Sequence, residues 1–147
     1  MIRPRKGGRA VILFVCTGNT CRSPMAAALA RRFGADAQSA GLAVWPGSPA
    51  TPQAVRAAKR HGADLSGHRA QPITDRLIDG AEVIYAMTEG HARALTAQFP
   101  RAASRVRLLT PAIPDPYGGD DGVYEDCIQS ILTALENAGI APSFHLP

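Results

Sequence analysis

Cysteine is scarce in this chain, with three residues in 147, too few for a disulfide scaffold. Aromatic residues make up only 5%, which leaves few platforms for stacking nucleic-acid bases. No apolar run approaches the roughly 18 residues of a membrane span. The phosphate motifs Gly-x4-Gly-Lys-Ser/Thr and Gly-x-Gly-x-x-Gly are both missing. His61, His91 and His145 have no partner at metal-ligand spacing, so neither a metal nor another cofactor is expected. The basic start, Met1 to Arg9, leads into an apolar stretch with no signal-peptide cleavage site, and the expected location is the cytoplasm.

What remains is the composition of a globular protein, 46% hydrophobic and 19% charged. The length suits one domain, placed at residues 10–147 behind a basic tail at 1–9, and a monomer is expected. The net charge of +4 is concentrated at the start, where Arg3, Arg5, Lys6 and Arg9 stand among Pro4, Gly7 and Gly8. Such a run reads as a solvated tail. With aromatics so few, neither nucleic acid nor membrane is an expected partner.

Strand and helix patterns alternate. Ala10–Val15 is apolar and β-rich, as in a strand buried on both faces of a parallel sheet. Further strand-like segments lie at Ala37–Ala40, Val83–Met87 and Arg105–Leu109, and helical patterns at Met25–Phe33, Pro52–His61, Glu89–Phe99 and Val123–Asn137. The order predicts an α/β fold, a four-stranded parallel sheet with helices on both faces. In the last helix Val123, Cys127, Ile128, Ile131, Leu132 and Leu135 form an apolar stripe, which makes Cys127 a core residue.

The most informative stretch is Val15-Cys16-Thr17-Gly18-Asn19-Thr20-Cys21-Arg22-Ser23-Pro24. Cys16 ends the first strand, and Ser23 as N-cap with Pro24 at the first helical position opens a helix. An α/β sheet holds ligands at such a crevice, and free amides at a helix N-terminus favour an anion. Gly18 and Asn19 suit the left-handed backbone of a loop that wraps a phosphate. The Arg22 fork can hold two phosphate oxygens. In that positive field Cys16 is expected to act as a thiolate nucleophile. The chemistry indicated is phosphoryl transfer through a phosphocysteine.

That reaction needs a proton for the leaving group and then a base for water. Asp115 is the expected carboxyl, because it lies between Pro114 and Pro116 in a loop directly after a strand-like segment. Asp120 and Asp121 are its substitutes should Asp115 point away.

The chain resembles the low-molecular-weight protein tyrosine phosphatases, whose N-terminal loop reads Val-Cys-x-Gly-Asn-x-Cys-Arg-Ser-Pro. The resemblance extends over nearly the whole chain. It implies a flavodoxin-like fold, phosphorylated protein substrates, catalysis by Cys16, Arg22 and Asp115, and a phosphate loop of Thr17, Gly18, Asn19, Thr20, Cys21, Arg22 and Ser23. Ser39-Ala40-Gly41 looks like the family's Ser-x-Gly step, and His68 falls where the family has a histidine that steadies the loop asparagine, here Asn19. The resemblance also allows a reversible Cys16–Cys21 disulfide, with Cys21 either protecting the nucleophile or packing beneath the loop. Trp45 and Tyr117 are the expected aromatic walls of the substrate cleft.

Within the family, Thr20 stands where tyrosine-specific members usually carry an aliphatic residue and a branch acting on phosphoarginine carries Thr. The acid loop reads Asp115-Pro116-Tyr117-Gly118-Gly119 where tyrosine-specific members often have two adjacent aromatics. Both features resemble the protein-arginine phosphatase branch, and a hydroxyl can hydrogen-bond a phosphorylated guanidinium as an aliphatic side chain cannot. Phosphoarginine is therefore expected ahead of phosphotyrosine. An arsenate reductase would need more mid-chain cysteines, and positions 22–126 contain none. A phosphocysteine carrier has no use for Arg22 and Asp115, and a phosphopeptide-binding module none for Cys16.

Overall fold

The computed structural model describes residues 10–143; the expected basic tail at 1–9 and His145 lie outside them. The chain runs β1 (Val11–Cys16), α1 (Arg22–Arg32), β2 (Asp36–Gly41), α2 (Pro52–Arg60), α3 (Asp75–Gly80) and β3 (Val83–Ala86). It continues through α4 (Glu89–Gln98), a 3-10 turn (Pro100–Arg105), β4 (Val106–Leu108) and α5 (Asp121–Asn137). The four strands form one parallel sheet in the order β2-β1-β3-β4. The register pairs Val11 with Asp36, Cys16 with Gly41 and Ile12 with Val83.

β1 is central, and its period-two alternation divides the core. Ile12, Phe14 and Cys16 face a cluster built from Met25 and Leu29 of α1, Ala57 of α2, and Tyr124 and Ile128 of α5. Leu13 and Val15 face a second cluster with Ile78 of α3, Leu95 of α4 and Phe99. Both sheet faces are covered, so β1 is apolar along its length rather than alternating with polar residues. From β1 the chain leaves to β2 on one side and reaches β3 on the other, and the crevice of such a reversal opens at the carboxyl end of β1, where Cys16 lies.

The structure corrects three local expectations. α1 starts at Arg22 with Cys21 as N-cap and no side-chain cap, so Ser23 and Pro24 lie inside the first turn. The Ser23 hydroxyl is engaged elsewhere, as described below. In α5 the buried stripe is led by Tyr124, 1% exposed, while Val123 is 45% exposed; the helical period admits either, and the large aromatic ring takes the core side. The short α3 was not expected. Its six residues give little periodicity, and its start depends on Thr74, whose side chain accepts from Leu77 N.

Candidate active site

β1 ends on Cys16 and α1 begins on Arg22, so the intervening loop must turn the chain sharply. It does so with five of its carbonyls hydrogen-bonded to surrounding residues. The oxygen of Cys16 accepts from Leu42 N at 3.0 Å, that of Thr17 from Ala43 N at 2.9 Å, that of Thr20 from Thr51 N at 3.0 Å and that of Cys21 from Met25 N at 3.1 Å. His68 Nε2 donates to the Asn19 oxygen at 2.7 Å. The backbone N–H groups of Thr17 to Ser23 donate to no acceptor among the described residues. A loop with paired carbonyls and unpaired amides is an anion nest, and the dipole of α1 reinforces it.

The loop's shape rests on Asn19. It is the single non-glycine described residue at positive φ, 57°, whereas Gly18, expected to share that conformation, does not. Both Asn19 amide protons are used, to Ser23 Oγ at 2.8 Å and Ser39 Oγ at 2.9 Å, and its Oδ1 accepts from Gln71 N at 3.0 Å. Gly41 lets β2 approach this closely. A Cβ there would lie 2.5 Å from the Thr17 oxygen and 3.1 Å from Asn19 Cβ.

Ser23 Oγ, which accepts from Asn19, lies 2.9 Å from Cys16 Sγ. A thiolate can only accept, so against an ionised Cys16 the serine hydroxyl is the donor. Arg22 is buried, and its NH1 donates to the Ile113 oxygen at 3.0 Å. Its NH2 stands 3.8 Å from Asp115 Oδ2. Asp115 Oδ1 accepts from Tyr117 N at 3.0 Å. The result is a cavity of about 210 Å³ lined by the loop residues from Cys16 to Arg22 together with Asp115 and Tyr117.

Residues 11–139 match the family model described as low molecular weight phosphotyrosine protein phosphatase. The chain belongs to that family. It is 40% identical over 131 residues to a probable low molecular weight protein-tyrosine-phosphatase EpsP of Ralstonia solanacearum, covering 85% of this chain and 90% of that protein. It is 39% identical over 140 residues to a protein-arginine-phosphatase of Bacillus subtilis, covering 84% and 93%. Among solved structures, the YwlE arginine phosphatase of Geobacillus stearothermophilus matches with a TM-score of 0.81 at 34% identity, covering 93% of this chain and 99% of that one. Vibrio vulnificus Wzb in complex with benzylphosphonate matches with a TM-score of 0.84 at 31% identity, covering 88% and 96%. The protein is thus a cysteine phosphatase of the low molecular weight family.

For a phosphatase of this family, most residues expected from the sequence converge on one cup, with Ser39 and His68 behind it. Trp45 does not line the cavity; it stands 84% exposed on the loop after β2. Asp120 caps α5 by accepting from Val123 N, and Asp121 pairs with Arg56, so neither is placed to substitute for Asp115. Burial pushes the Cys127 thiol up to about 12, which suits a core residue. No helix among the described residues is long and apolar enough to cross a membrane.

Contacts of Tyr124 and His91 were not anticipated. Tyr124 OH lies 3.2 Å from Cys21 Sγ and accepts from Thr51 Oγ1 at 3.2 Å. Burial pushes the Tyr124 hydroxyl up to about 12, keeping it a donor. His91 is buried with Nε2 at 2.8 Å from Thr17 Oγ1 and Nδ1 at 3.1 Å from Thr88 Oγ1. Burial chiefly, with Arg22 nearby, lowers its pKa, and the neutral ring fits one donor and one acceptor role between two hydroxyls. Thr51 had a signal of its own, since a Thr before Pro52 marks a helix start.

Proposed function

We propose that the protein hydrolyses phosphoarginine in phosphorylated proteins in preference to phosphotyrosine, through a phosphocysteine on Cys16. The observation that carries the substrate assignment is Thr20, a hydroxyl-bearing residue in the wall of the 210 Å³ cavity. There it can meet the nitrogen-bearing side of a phosphorylated guanidinium, where an aliphatic residue would pack a phenyl ring. Tyr117 provides a single aromatic wall beside Gly118 and Gly119. The relatives named protein-arginine-phosphatase support this reading, as does a YwlE arginine phosphatase mutant solved with a phosphorylated active site serine.

In the first step Cys16 Sγ attacks phosphorus as the bond to the leaving nitrogen breaks. The loop amides and the Arg22 fork hold the equatorial oxygens as charge redistributes. Asp115 gives its proton to the departing nitrogen. In the second step water adds to phosphorus, Asp115 takes its proton, and the P–S bond breaks to release phosphate and the Cys16 thiolate. Ser23 donates to the sulfur and stabilises it as leaving group.

The test is kcat/KM for a phosphoarginine and a phosphotyrosine peptide on the wild type and on Thr20→Ile. The substitution is expected to move the ratio toward tyrosine by about 10-fold or more. An unchanged ratio would remove Thr20 from the specificity argument.

A further inference from the structure

A cavity larger than the one around Cys16 lies elsewhere among the described residues. A space of about 710 Å³ opens along the outer edge of the sheet, where β2, α3 and the segment before α3 meet. No residue of the phosphate loop, nor Asp115 or Tyr117, lines it. Its walls carry Arg31, Arg69, Arg76 and His68 and no acidic residue. Among the described residues none of these arginines forms an ion pair, whereas Arg56, Arg60, Arg93 and Arg101 all do. Arg31 and Arg69 donate instead to neutral carbonyls, of Ala37 at 3.1 Å and of His68 at 2.8 Å.

Three guanidinium forks around one concavity, with no carboxylate to answer them, form a field that an anion would neutralise. The volume lies within the roughly 300–1,000 Å³ usual for small-ligand sites. The chain's own N-terminal segment, with Arg3, Arg5, Lys6 and Arg9, has the wrong sign to fill it. We propose that this cavity is a second binding site, for a small molecule bearing a polyphosphate chain, and that its occupancy alters turnover at Cys16 without competing for the phosphate loop.

The coupling has a visible route. Three residues of the cavity wall, Ser39, His68 and Gln71, are the ones that hold Asn19. A ligand drawn against His68 or Gln71 therefore pulls on the residue whose left-handed backbone shapes the amide cup. Since Asn19 also donates to Ser23, a displacement there reaches the serine beside Cys16. Arg69 and Arg76 are exposed, and their side chains take part in none of the phosphate loop's hydrogen bonds.

The experiment is calorimetric titration of the full chain with tripolyphosphate at constant ionic strength, with and without saturating vanadate on the phosphate loop. Binding is expected to persist with vanadate present and to weaken by about 10-fold for each arginine removed in Arg69→Gln and Arg69→Gln/Arg76→Gln. In parallel, hydrolysis of p-nitrophenyl phosphate by the wild type should show a tripolyphosphate effect on kcat that the double variant loses. Binding abolished by vanadate, equal affinity in the double variant, or purely competitive inhibition would overturn the proposal. ATP and sulfate arms at matched ionic strength separate a polyphosphate chain from general anion attraction: equal binding of sulfate also overturns it. None of these outcomes depends on which phosphorylated residue the enzyme prefers.

Discussion

The phosphate loop and the acid loop each bring a charged group to the same small cavity, and they are held by opposite means. Arg22 is 7% exposed in its side chain and Asp115 57%. The phosphate loop is tied at successive carbonyls and through every polar atom of the Asn19 side chain. The acid loop is stiffened by Pro114 and Pro116 and anchored by Ile113 at one end, with its aspartate facing solvent. The difference suits the proposed chemistry. A cup that stabilises a transition state must not reorganise as charge develops, whereas a group that first gives and then takes a proton has to meet two different partners.

The largest loss is expected at the nucleophile. Cys16→Ser is expected to lower kcat/KM by about 10⁴-fold or more while leaving vanadate affinity measurable, because the amide cup survives. Activity near wild type would remove Cys16 from the first step. On the acid loop, Asp115→Ala should cost about 100-fold or more with a poor leaving group and much less with p-nitrophenyl phosphate. A uniform loss across leaving groups would mean that Asp115 does something other than protonate.

Two smaller effects probe the rigid side. Asn19→Ala places an ordinary side chain at positive φ and deletes three hydrogen bonds, so it should destabilise by about 1–3 kcal/mol. Asn19→Gly relieves the backbone but not the lost bonds. Comparing the two melting temperatures separates strain from bonding, and identical values would show that the φ of 57° carries no cost. The smallest effect concerns pH. Burial above all lowers the pKa of both His68 and His91 below the ordinary 6.5, so between the folded and unfolded values the unfolded chain binds more protons. Stability from these groups is therefore complete above about pH 6.5 and is lost as pH falls below it. Thermal melts from pH 7.5 to 5.5 should show a decline in Tm that shrinks in His68→Gln/His91→Gln. An equal slope in the variant would place the proton uptake elsewhere.

The legible half of the site is the half that is local in sequence. Val15 to Pro24 contains the strand end, the loop and the helix start as one continuous pattern, and the alternation of elements around it specifies the sheet. Asp115 was reachable because proline flanks it on both sides. What escaped was fixed by distance along the chain. Tyr124 meets Cys21, and His91 meets Thr17, across separations that no window of sequence spans. The Ile113 contribution is a backbone oxygen, which has no residue signature at all. Ser23 does not cap the helix, because its hydroxyl answers to Asn19 and Cys16 rather than to a helix amide.

The hydrogen-bonded carbonyls of the phosphate loop have one more effect. The backbone oxygens of Thr17, Asn19, Thr20 and Cys21 are all taken up by donors from the surrounding structure, while the loop's N–H groups are left for the cavity. Such a backbone offers no acceptor to the proton of a P–OH group, and the cup is expected to sort substrates by ionisation state. It should favour the fully ionised phosphoryl group over its protonated form before Cys16 has taken any part.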